Sequence, residues 1–111
     1  KGTALVNLLY ISGDETVMVG DLALHCVHTP GHTPGSISVY VDIGGQRVLF
    51  GQDIHGPFTK EWGSDRTQWK ESMEKLLALN ADILCEGHFG IYSPASQANE
   101  YIQGYLRRFG R

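Results

Sequence analysis

The feature that most restricts how this chain can fold is Gly44-Gly45, set between two apolar runs, residues 36–43 (SISVYVDI) and 47–52 (RVLFGQ). Glycine reaches positive φ without steric cost, so two of them between β-branched runs read as a tight hairpin turn. A hairpin makes the two runs antiparallel, with the start of the first beside the end of the second. Further strands are expected at 4–11, 16–20 and 22–29, each rich in Val, Ile, Leu or Tyr, with Ser12-Gly13-Asp14 as another turn. The second half changes period. Trp69, Met73, Leu76 and Leu77 fall at helical spacing, with Ser64 or Asp65 as N-cap and Asn80 near the stop. A short strand at 82–86 follows. Ser93-Pro94 then opens a last helix, serine at the N-cap and proline at the first helical position, whose apolar face is Tyr101, Ile102, Tyr105, Leu106 and Phe109. The expected fold is an α/β layer: a mostly antiparallel sheet with two helices on one side.

A chain of 111 residues holds one small domain, here residues 1–111. With 41% hydrophobic and 19% charged residues it has the composition of a globular protein. A formal charge of -3 supplies no basic field for nucleic acid or anionic lipid, so neither is an expected partner. No apolar run approaches the ~20 residues that span a bilayer, and no signal peptide opens the chain. Cys26 and Cys85 sit alone in apolar runs without CxxC spacing, which reads as two buried, reduced thiols of a cytoplasmic protein.

Three polar residues each follow an apolar strand and stand beside glycine: His32 in TPGHTPGS, Asp53 in LFGQD and His88 in CEGHFG. The hairpin brings the His32 loop and Asp53 to one rim of the sheet. A helix crossover makes 82–86 parallel to 47–52, so its end delivers His88 to the same rim. Two imidazoles and a carboxylate suit zinc, iron or manganese better than calcium or magnesium. Taken singly, each has an ordinary reading. A loop histidine is most often solvated or capping, and Asp53 also fits a cap on the turn after its strand. His25 and His28 lie within a strand, where a packed or hydrogen-bonded role is expected. His55 fits either a hydrogen-bond partner of the ligands or plain loop surface.

At these residues the sequence resembles the metallo-β-lactamase superfamily. VHTPGHTPGSISVYV, then VLFGQD, then ADILCEGHFG are similar to that family's third, fourth and fifth metal motifs, in order. The resemblance implies the C-terminal half of an αββα sandwich with a two-zinc site at one edge of the sheets, iron or manganese being alternatives. His32 then completes the first metal site, His88 the second, and Asp53 bridges both ions as the catalytic carboxylate. The implied activity is metal-dependent hydrolysis of a small-molecule thioester, ester, lactone or phosphoester. The resemblance leaves open an iron-dependent redox member, persulfide dioxygenase-like or flavodiiron-like, and a non-catalytic module that kept the fold.

One departure from the family is large. Its HxHxDH string, which supplies most remaining ligands, is absent, and the 31 residues before His32 are too few to hold it at the usual distance. The chain is therefore expected to be a fragment of a longer enzyme, with an incomplete metal site, no useful catalysis of its own, and a tendency to self-associate through an uncovered sheet face. The segment 56–65 (GPFTKEWGSD) fits a pocket border, with Phe58 and Trp62 as apolar walls, and equally a surface loop.

Overall fold

A computed structural model of the chain describes residues 14–32, 34–51, 54, 63–87 and 90–109. Among them six strands form one sheet in sequence order: β1 (Glu15–Val19), β2 (Leu22–His28), β3 (Ile37–Ile43), β4 (Gln46–Phe50), β5 (Ile83–Cys85) and β6 (Ile91–Tyr92). Helix α1 (Arg66–Ala78) lies between β4 and β5, and α2 (Ala95–Phe109) follows β6. The architecture is the expected mixed α/β layer. The strand expected at 4–11 lies outside the described residues. β6 went unforeseen because two residues are too short to show an alternating pattern.

The Gly44-Gly45 turn is as read: both glycines have positive φ, 59° and 79°, and β3 and β4 pair antiparallel from Ile43↔Gln46 to Val39↔Phe50. β4 and β5 pair in parallel, Phe50 opposite Cys85, because the chain returns through α1. Asp82 fixes that register. Its amide donates to the Arg47 carbonyl at 2.9 Å, and its carboxylate accepts from the Arg47 amide at 2.7 Å.

Helix α1 is capped by Asp65 rather than Ser64: Asp65 is extended, and its carboxylate accepts from the amides of Thr67 (2.9 Å) and Gln68 (3.1 Å). That satisfies two of the donors a helix start leaves without partners. Asn80, with φ 49°, turns the chain out of the helix end. Trp69, Ser72, Met73 and Leu76 form the buried stripe of α1, and Ala98 and Ile102 that of α2. Both stripes meet Leu49 and Leu84, cross-strand partners on one face of the sheet, so both helices cover the same side.

The opposite face carries the row Val39, Phe50, Cys85 and Ile91, aligned across β3 to β6. Phe50 and Ile91 are 47% and 71% exposed, unlike the fully buried Leu49 and Leu84. The expected buried thiols are half right: Cys26 is buried, while Cys85 lies in this row and is half-buried.

Leu49→Ala removes a side chain at the centre of the helix-covered face and leaves a cavity between two layers. It is expected to cost about 2–5 kcal/mol, read as a lower urea midpoint with unchanged slope. Phe50→Ala, one residue along on the face opposite the helices and 47% exposed, should shift the midpoint far less.

Candidate metal centre

The sheet register brings three chain segments to one rim. β3 begins there at Ile37, β4 ends there at Phe50 and β5 ends there at Cys85, with Val39, Phe50 and Cys85 side by side. These are the strand ends that border His32, Asp53 and His88. His32 is half-buried; Asp53 and His88 lie outside the described residues, as do Phe58, Trp62 and His55. No group of three or more His, Cys, Asp or Glu able to hold a metal occurs among the described residues.

The turn carrying His32 is closed at its base by the Thr29 amide donating to the Ser36 carbonyl at 2.9 Å. It lies against the start of α1: the Asp65 amide donates to the Gly31 carbonyl at 2.7 Å, and the Ser64 hydroxyl to the His32 carbonyl at 2.6 Å. Gly31 has φ 148°, and a β-carbon there would run into the Cα and Cβ of Trp69. Glycine is thus required twice over, by conformation and by the closeness of the helix.

The segments bordering the other two residues are anchored as well. The Gly51 amide donates to the Cys85 carbonyl at 3.1 Å, tying the exit of β4 to the exit of β5. Ile54 is fully buried in the core, and its carbonyl accepts from the Trp69 indole at 3.0 Å. Around 88, the Glu86 amide donates to the Gly90 carbonyl at 3.0 Å, and Gly87 and Gly90 have φ of 99° and 123°. Glu86 is itself buried, on the helix side of the sheet in phase with Leu84. Near it the Tyr101 hydroxyl is buried without a hydrogen-bond partner among the described residues. Burial, and secondarily the charge of Glu86, push the Tyr101 phenol above its ordinary pKa. Sequence reading missed Glu86; the one available signal was an acidic residue closing the apolar run ADILC.

His25 and His28 have the packed, bonded roles expected of strand residues. The His25 ring stacks on Tyr40 at 4.7 Å and bonds the Thr16 hydroxyl at 3.1 Å. Nε2 of His28 lies 2.7 Å from the Pro34 carbonyl. A carbonyl only accepts, so that nitrogen carries the hydrogen and is unavailable to a metal. No helix among the described residues is long and apolar enough to cross a membrane.

The sequence profile of the metallo-beta-lactamase superfamily matches residues 2–88. The chain belongs to that superfamily. Its fold is similar to an archaeal metallo-beta-lactamase superfamily protein from Sulfolobus tokodaii, with TM-score 0.65 and 22% identity over 86% of this chain and 38% of that one. It is also similar to a stereoselective inverting sec-alkylsulfatase from Pseudomonas sp., with TM-score 0.74 and 16% identity over 94% of this chain and 18% of that one. A metallo-beta-lactamase family protein from Thermus thermophilus gives TM-score 0.64 and 24% identity, over 92% and 36% of the two chains. This chain therefore spans well under half the length of these relatives.

Gly31→Ala forces both an unfavourable φ and a clash with α1, each worth about 1–3 kcal/mol. The variant should unfold at clearly lower temperature by circular dichroism, whereas Gly35→Ala, with open space at its β-carbon, should unfold nearly as the wild type does.

Proposed function

We propose that this chain is part of a metal-dependent hydrolase in which His32, Asp53 and His88 are metal ligands. The observation that carries the reading is the register Val39–Phe50–Cys85, which gathers the strand ends bordering all three residues at one rim. The donor chemistry fits zinc: neutral imidazole nitrogens and a carboxylate are ordinary zinc ligands, so His32, Asp53 and His88 would hold such an ion. Zinc, when bound, supplies the Lewis acidity that polarises a carbonyl or phosphoryl group and lowers the pKa of water toward neutrality. The chain's own part is positional. The His32 turn is fixed on α1, and Gly51 and Ile54 fix the chain on either side of Asp53.

The substrate is a small molecule with a hydrolysable thioester, ester, lactone or phosphoester bond. Relatives of this fold include a sec-alkylsulfatase and metallo-beta-lactamases, a range that supports hydrolysis as the reaction class without choosing the bond. Three ligands shared between two ions make an incomplete site, so the chain alone binds zinc weakly and the longer parent carries the activity.

Self-association of the isolated chain is proposed on the same footing, supported by Phe50, Ile91 and Ile43 exposed on the face the helices leave open. Sedimentation at micromolar concentration tests it, a well-behaved monomer being the contrary result.

In the parent enzyme, Asp53→Ala should remove two-ion binding and lower kcat far more than it raises KM, because a bridging carboxylate orients both ions. Metal content by elemental analysis, read beside the kinetics, is the check. Unchanged metal and unchanged turnover mean that Asp53 is only a turn cap.

A further inference from the structure

The carbonyls of Pro30, Gly31, His32 and Pro34 are each satisfied as hydrogen-bond acceptors. Beyond the Gly31 carbonyl, which takes the Asp65 amide, three more carbonyls each accept from a side chain. Ser72, nearly two turns into α1, donates its hydroxyl to the Pro30 carbonyl at 2.7 Å. Ser64 donates to the His32 carbonyl at 2.6 Å, and His28 Nε2–H to the Pro34 carbonyl at 2.7 Å. His28 is held in turn: its amide donates to Asp14 at 2.8 Å and its carbonyl accepts from Lys75 of α1 at 3.0 Å.

We propose that His28, Ser64 and Ser72 are positioning residues for His32, binding its turn to α1 and to the end of β2 so that the imidazole is presented in one orientation. The proposal deepens the metal-site reading above and rests on it. The physical reason is entropy. A two-proline turn with no side-chain bonds samples several backbone states, and a ligand on it pays that ordering when the metal binds. Here the bonds to the helix do the ordering beforehand. Ser72 is the informative member, since a serine inside the buried stripe of α1 costs apolar contact, and its hydroxyl there is satisfied by a turn carbonyl at 2.7 Å. These bonds converge on the turn that carries His32, so the effect should be largest at the ion His32 serves.

The test is an NMR titration of the 111-residue chain with excess zinc, reading the His32 and His88 imidazoles separately, together with amide exchange across residues 30–36 in the metal-free chain. In the Ser64→Ala/Ser72→Ala double variant, the His32 response should weaken by about 10-fold, as is usual when a ligand's supporting bonds are removed, with the His88 response little changed. Exchange across the turn should quicken, and Ser72→Thr, which keeps the hydroxyl, should behave as wild type. Equal weakening at both histidines reports general destabilisation and overturns the proposal, as does an unchanged His32 response with unchanged exchange. If the double variant fails to fold, Ser64→Ala alone and His28→Gln against His28→Phe carry the same comparison. A wild-type chain in which neither ring responds to zinc sinks the metal reading for this chain; the exchange measurement then decides by itself whether the turn is held by these side chains.

Discussion

The parallel pairing of β4 with β5 is the constraint on which the rest of the molecule depends. In the otherwise antiparallel sheet of the described residues, successive strand ends alternate between opposite rims. One parallel pair breaks that alternation and places two consecutive strand exits on the same side, beside the entry of β3. Parallel pairing requires a crossover, and the crossover here is α1. The Asp82–Arg47 exchange holds its return at one register. A slip of one residue would exchange the faces of Leu84 and Cys85 and remove the core contact.

Because α1 is the crossover, the same helix serves the core and the rim. Its buried stripe packs on Leu49 and Leu84, while Trp69 bonds the Ile54 carbonyl and stands against Gly31. Stability and site geometry are therefore coupled through one element. A change that tilts α1 to relieve the core also moves the backbone that carries His32, so the packing of Trp69 bears on the rim although its side chain is buried.

What the sequence disclosed follows from where its information is local. The Gly44-Gly45 turn, the α1 stripe and the order β–α–β are written in short windows, and topology then follows from connection rules. His32, Asp53 and His88 were singled out on equally local grounds, each following an apolar run near glycine, and of the three only His32 falls among the described residues. What local windows do not carry is tertiary hydrogen bonding. Ser72 lies 42 residues from Pro30 and Ser64 lies 32 from His32, and a serine in a helical pattern looks the same whether its hydroxyl meets water or a turn carbonyl. Strand β6 was invisible because pairing, not pattern, defines two residues as a strand. The choice between Ser64 and Asp65 as cap needed the same missing fact, that the Ser64 hydroxyl is engaged by His32.

The indifference of this frame to substrate has a physical basis too. Matches to this sheet and its helices include a sec-alkylsulfatase at TM-score 0.74 and a metallo-beta-lactamase at 0.60, each at 16% identity. Since one backbone frame accompanies both chemistries, the frame cannot be what distinguishes them. Where a site stands at the rim of a sheet, strands fix the positions of its side chains and the loops beyond them shape what approaches. The described part of this chain is almost wholly frame. Its specific content is thus the bonding of a histidine turn to a helix, through the Ser64 and Ser72 hydroxyls.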